Sequence, residues 1–385
     1  MPGRLTPGVY PVDVIPAPAP GFLTGVPAFI GRAPMGPATP RRLTLWPEFE
    51  AAFGGPGAGF LYDAVRGFFE NDGAACYVVR LDETGRETPS PDVLERALAT
   101  LDDVDDVDLV CHPDLAAEWP SGADLDTVTG PQRALLRHCR DRGDRFAILD
   151  CPPADDPELA ARQRAVLNGT DGAAGSYGAL YYPWLRVGDR DRRPRHVPPC
   201  GHIAGVYSRG DRRVGVHKAP ANEVVEGALD LRSDLTAAQA GELYARAVNC
   251  VRALPGRGIR VWGARTLSDD PAWRDVSARR VVVSVHRWVE RFMRGLVFEP
   301  NDIRLWVRIM RELTAYLDGL FQRGALKGRT AEEAFFVKCD SETNPAEAID
   351  AGMVVTEIGV APSAPAEYIV VRVIHGASGV TINAV

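Results

Sequence analysis

Between residues 76 and 182 short apolar runs alternate with helical ones, and this alternation restricts the fold more than any other feature of the chain. Strands are expected at 76–81, 107–111, 145–150 and 177–182, with helices at 91–101, 131–142 and 157–167 between them. Strands alternating with helices of about ten residues make right-handed βαβ units and a parallel sheet. The acidic run Asp102, Asp103, Asp105, Asp106, Asp108 reads as a solvated loop edge. The mixed-sign run from Arg186 to Arg195 reads as a boundary or an exposed loop ahead of Pro198-Pro199.

The flanking regions follow other patterns. Residues 22–32 read as an apolar strand ending at Gly31, and 45–53 and 61–71 as short helices. After residue 200, Thr236 and Gln239 make a capping box for a helix expected to reach about 251. Residues 258–266 read as a strand. Val282, Val285, Val289 and Met293 have helical spacing. Asn301 or Asp302 caps the next helix, whose stripe is Trp306, Met310, Leu313, Leu317 and Leu320 and whose end is Gly324. Thr330 and Glu333 suggest another capping box. Residues 353–360 and 367–374 read as a hairpin with two apolar faces.

Both ends look tethered rather than packed. Residues 9–15 read as one strand, followed by Pro16-Ala17-Pro18-Ala19-Pro20, which favours stiff polyproline geometry. Pro11 has no N–H to give, so that strand pairs well on one side only. Val380-Thr381-Ile382 reads as a last short strand beyond a Gly-rich break.

Composition narrows the function. A net charge of −7 argues against a dedicated nucleic-acid binder. The 7 Cys form no C-x-x-C and fit a reducing compartment, as small buried hydrophobes. No apolar run is long enough to span a membrane and no secretory signal opens the chain, so cytoplasmic assembly without membrane insertion is expected. Chemistry is scarce. Gly324–Thr330 is one residue short of a phosphate loop and follows a helix. Cys111-His112 and His138-Cys139 lack zinc spacing, and no G-x-S-x-G occurs. Asp114 and Asp150 lie just after strands of the parallel sheet, where such folds place ligands. They are the best argument for a cytosolic α/β enzyme, although turn-forming Asp beside Pro explains them equally well. No cofactor and no metal are expected.

Ordered blocks along the chain resemble contractile tail sheath proteins of phages, R-type bacteriocins and extracellular contractile injection systems. Near the start these are Pro7-Gly8-Val9-Tyr10, Gly25–Arg32, Arg66-Gly67-Phe68-Phe69-Glu70-Asn71 and Cys76–Arg80. Later come Pro198–Gly201 with Ala204–Tyr207, His217–Asn222, Gly258–Leu267, Phe298–Asp302, Ala334–Asp340, and Val360-Ala361-Pro362 with Pro365-Ala366-Glu367. They cover about residues 6–81 and 196–374. The short chain, without a large insertion, leans toward the bacteriocin and injection-system members.

The resemblance implies an α/β fold: a Rossmann-like parallel βαβ outer domain, an α+β C-terminal sheath core with a terminal hairpin, and extended strand arms at both ends. The corresponding segments are an N-terminal arm (1–20), the first part of the core (21–75), a variable βαβ domain (76–195), the C-terminal core (196–374) and a C-terminal arm (375–385). It implies copies of the chain stacked as six-fold rings around an inner tube protein, with baseplate and cap proteins as further partners. The N- and C-terminal strands of two neighbours would join the hairpin of a third subunit. The residues of that exchange would be Val9, Tyr10, Val12 and Val14; Val354, Thr356, Ile358, Ile369, Val371 and Val373; and Val380 and Ile382. The family often has two acidic residues where Pro11 and Val12 stand, which leaves the register of the first arm open. Arg304, Arg308, Arg311 and Glu312, on the polar side of helix 303–322, are candidates to grip the tube, or they simply face water.

Overall fold

A computed structural model describes residues 23–57, 59–81, 91–115, 125–169, 172–189, 192–362, 369–376 and 379–384. The N-terminal strand with Val9, Tyr10, Val12 and Val14, and the proline run after it, lie outside the described residues. The elements in chain order are β1 (Pro27–Gly31), β2 (Arg41–Leu43), α1 (Trp46–Phe53), α2 (Leu61–Glu70), β3 (Cys76–Arg80), α3 (Pro91–Ala99), β4 (Leu109–Cys111), α4 (Leu125–Arg142) and β5 (Phe146–Asp150). There follow α5 (Pro157–Gly169), α6 (Gly172–Gly175), β6 (Gly178–Tyr182), β7 (Leu185–Asp189), β8 (Arg192–Val197), α7 (Cys200–Arg213), β9 (Ala228–Leu231), α8 (Ala237–Ala245), β10 (Val248–Leu254) and β11 (Gly258–Trp262). The last are α9 (Val276–Arg294), α10 (Ile303–Gln322), α11 (Ala331–Ala334), β12 (Phe335–Lys338), α12 (Ala346–Asp350), β13 (Val354–Val360), β14 (Ile369–Gly376) and β15 (Gly379–Ala384).

The expected parallel sheet is present and larger than the alternating stretch alone. Eight strands lie in the order β11-β10-β6-β5-β4-β1-β3-β2, with six parallel strands in the middle and one antiparallel strand at each edge. β1 comes from the segment before residue 76, and β10 and β11 come from the segment after 195. The boundaries read at 75/76 and 195/196 therefore run through one sheet. α3, α4, α5 and α8 bury Leu94, Leu135, Ala160 and Leu243 on one face. α1, α2 and α7 bury Phe49, Phe68 and Ile203 on the other. α7 lies so close to α2 that a Cβ at Gly201 would stand 2.2 Å from the Ala64 carbonyl oxygen.

Several elements differ from expectation. α8 ends at Ala245, and residues 248–254, read partly as helix, are the sheet strand β10. The charged run 186–195 is not a loop, because β7 pairs antiparallel with β8 and with β9. α4 begins at Leu125 and carries Pro131 inside it. Asp302 caps α10 by accepting from the Arg304 and Leu305 N–H groups. The Thr236–Gln239 capping box is formed. At Thr330 there is no side-chain cap bond, and Glu333 accepts from the Arg329 N–H instead.

A second core lies under the C-terminal sheet, whose order is β12-β13-β14-β15. Leu305, Ile309, Leu313, Leu317 and Leu320 of α10 meet Val281, Val285, Val289 and Met293 of α9 and Val354, Ile358, Val360 and Val373 of the sheet. Burial of each large aliphatic side chain there stabilises the fold by about 1.5–3 kcal/mol.

Candidate intersubunit surfaces

Antiparallel pairing joins the whole C-terminal sheet. Val354 faces His375, Thr356 faces Val373, and Ile358 faces Val371. On the far side Val373 faces Ile382 and His375 faces Val380. Because side chains alternate between faces, this register puts Val354, Thr356, Ile358 and Val373 on one face, while Ile369, Val371, Val380 and Ile382 are placed by their backbone pairing alone. The first four are buried there, and Val354, Ile358 and Val373 pack in one core with the subunit's own helices. Main-chain bonds therefore join strand to strand, while Val354, Ile358 and Val373 fix the sheet to α9 and α10. The opposite face is not wholly apolar, since it carries Glu357. β15, expected as an isolated strand, is hydrogen-bonded to β14 of its own chain from Gly376–Gly379 out to Val371–Ala384.

The polar side of α10 is a second surface. Arg304, Arg308 and Arg311 are exposed and Glu312 is half-buried. Arg308 pairs with Glu299 at 3.4 Å and Arg311 with Glu312 at 2.7 Å, while Arg304 makes no ion pair among the described residues. Exposed pairs of this kind are worth about 0–1 kcal/mol and yield readily to another partner. Sequence reading missed the apolar groups beside these arginines. Phe298 is 101% exposed, Ile303 69% and Val307 52%. Phe298 also has φ 74°, a left-handed conformation that costs energy for a bulky side chain. The available signal was their position: Phe298 lies outside the helix, and Ile303 and Val307 fall off the buried stripe.

The two carboxylates of the enzyme reading serve as ties within the fold. Asp114 accepts from the Phe60 N–H at 2.6 Å, at the start of α2, and from the Arg32 N–H at 2.8 Å, just past β1. Asp150 accepts from the Cys200 N–H at 2.9 Å, at the start of α7. Both are buried. Burial pushes Asp150 up to about 7, against the lowering pull of Cys200. Burial also holds the Cys200 thiol far above its usual range, unlike a nucleophile. All 7 cysteines are free and buried. Burial lowers His112 to about 3, helped by Arg32, and lowers His138 to about 4, helped by Arg145. Among the described residues no cluster of His, Cys, Asp or Glu could hold a metal ion, and no helix is long and apolar enough to cross a membrane.

Comparison with known proteins gives one consistent result. Residues 106–267 match the phage tail sheath protein central domain, and residues 268–374 match the phage tail sheath C-terminal domain. The chain is 30% identical to a chain of the PVC sheath complex, an extracellular contractile injection system in its contracted state. The TM-score is 0.71, with 95% of this chain and 97% of that one covered. It is 29% identical to a chain of the contracted helical sheath of the anti-feeding prophage, with TM-score 0.73 and 95% and 98% covered. The tail sheath protein of Salmonella phage ViI is 26% identical over 196 residues, which is 49% of this chain and 30% of that protein. The match thus spans about three tenths of that longer relative.

Proposed function

Because the chain belongs to the contractile tail sheath family, we propose that it polymerises as stacked six-fold rings around an inner tube and contracts to drive the tube through a target membrane. It is a structural subunit rather than an enzyme, as its relatives are, and Asp114 and Asp150 are already engaged as ties between elements. The observation that carries the proposal is the likeness, over nearly the whole chain, to sheath subunits of two contracted particles.

The mechanism needs no nucleotide. Extended sheath is a strained packing held by tube and baseplate, and contraction moves rigid subunits outward between two discrete arrangements. The N-terminal strand with Val9, Tyr10, Val12 and Val14, and β15 with Val380 and Ile382, join the β13–β14 hairpin of neighbouring copies. Backbone pairing of this kind is independent of side-chain identity and can act as a hinge while subunits rotate. Contacts between unlike surfaces that do not close generate a helix of indefinite length. The arginines of α10, with Phe298, Ile303 and Val307 beside them, grip the tube before firing. Assembly takes place in the cytoplasm, with a baseplate at one end and a cap protein at the other.

Deletion of residues 1–15, followed by electron microscopy of the purified product, tests the exchange. The proposal expects no long tubes. Normal tubes from the shortened chain would show that the arm is dispensable.

A further inference from the structure

Asp108, the last of the acidic run, is not solvated. Its side chain is 3% exposed, and it accepts from the Gly25 N–H at 2.9 Å and the Val26 N–H at 2.6 Å. Arg280 of α9 donates to the same carboxylate at 3.1 Å and, through both terminal nitrogens, to Asp211 of α7 at 2.9 and 2.6 Å. Seven residues along α9, on the same face of the helix, Arg287 donates to the Leu23 carbonyl at 3.1 Å and to the carbonyls of Asp105 and Asp106 at 3.1 and 2.8 Å. Seven further on, Arg294 pairs with the Asp105 side chain at 2.6 Å. Between these groups the chain passes α7 so tightly that a Cβ at Gly25 would lie 2.6 Å from Ser208 Cα, and Gly25 has φ 71°.

We infer that Arg280 and Arg287, with Asp108 and Asp211, form a clamp on residues 23–26 that fixes where the N-terminal segment enters the body. The inference rests on the reading that this segment carries load between subunits. A pull on a bare strand end breaks ladder bonds one at a time, starting at the end of β1. Here the pull meets charge-assisted bonds first, each about twice as strong as a neutral one. Guanidinium groups stay charged at any working pH. The load passes to α9, which also packs against the C-terminal sheet, so an arm's tension reaches both cores together.

Hydrogen exchange on the purified full chain reads the clamp without any assembly. In the wild type, the Gly25 and Val26 amides should exchange as slowly as those of β4 and β5. Arg287→Ala removes donors to carbonyl groups and leaves no carboxylate stranded, so the chain should still fold. It should speed exchange at residues 24–26 by about tenfold, the effect of one or two lost hydrogen bonds, and leave β5 and β6 unchanged. Asp108→Asn should do the same, and Arg294→Ala, the exposed rung, should change little. Unchanged exchange at 24–26 in Arg287→Ala, or equal acceleration across the whole sheet, overturns the clamp. Normal tubes after deletion of residues 1–15 would instead overturn the load-bearing reading and leave the exchange result standing.

Discussion

The two edges of the eight-stranded sheet are short and charged or covered, whereas the four-stranded sheet has β15 as its outermost described strand. On the large sheet, β2 has only 3 residues and exposes Arg41 and Arg42. At the other edge, β11 is covered by main-chain bonds from Asn222, Glu223 and Val225. Short, charged and covered edges keep other chains from pairing. In the small sheet the outermost described strand is β15, paired with β14 on its inner side. Under the exchange reading, the large sheet stays the same while the small one takes its pairing from a second copy.

Four changes would break or sharpen this contrast. The largest effect belongs to the body. Gly201→Val places bulk against the backbone of α2 where no Cβ fits, and is expected to cost above about 5 kcal/mol, beyond the about 1–3 kcal/mol of ordinary overpacking. Chemical denaturation should show the loss, or the chain should fail to accumulate. Next is Leu313→Ala beneath the small sheet, expected to cost about 2–5 kcal/mol. If the two cores unfold as one unit, calorimetry will show a single shifted transition. An early separate transition would mean that the small sheet melts on its own.

The third change concerns pH. Asp150 has its folded pKa raised from 3.8 to about 7. Its contribution is therefore present at acid pH and is lost as pH rises from about 4 through 7. Buried His112 and His202, lowered to about 3 and about 4, act the other way, since they resist protonation as pH falls below 6.5. Asp150→Asn mimics the protonated acid. It should match the wild type only below about pH 4, exceed it by a few degrees in melting temperature at pH 8.5, and fall more steeply on acidification. Equal melting temperatures at pH 8.5 would refute the burial argument. The smallest stability effect, within about 0.5 kcal/mol, is expected for neutralising Arg304, Arg308 and Arg311 together. Tube-filled sheaths should nevertheless be lost, and their normal recovery would remove α10 as the gripping surface.

The core of the fold could be read because its signals are local. Apolar runs such as Phe146–Leu149 and the α10 stripe at Leu313, Leu317 and Leu320 announce themselves by periodicity. β10 was missed because the stop before it carries no usual mark. The chain leaves α8 through Ala247 at φ 56°, a position where glycine is normally found. Three glycines, at 201, 205 and 210, hid α7, since they weaken a helical pattern even where, as at 201 and 205, close packing requires them. The clamp escaped because Arg280 and Asp108 are 172 residues apart, and an isolated acid in an acidic run looks solvated. The hairpin residues proposed for exchange were recognisable as strand, but which of their faces meets the subunit's own helices depends on register, which sequence alone left open.

The pairing of β15 with β14 inside one chain has a kinetic consequence. A tethered strand competes for its own partner at an effective concentration on the order of millimolar. Under the exchange reading, an incoming strand must displace a resident one rather than fill an empty edge. Free subunits at micromolar levels would then be poor at starting a sheath and good at extending one, because a growing end supplies several contacts at once. The self-paired strand would act as a brake on nucleation, leaving the choice of where a sheath begins to whatever template first holds several copies together.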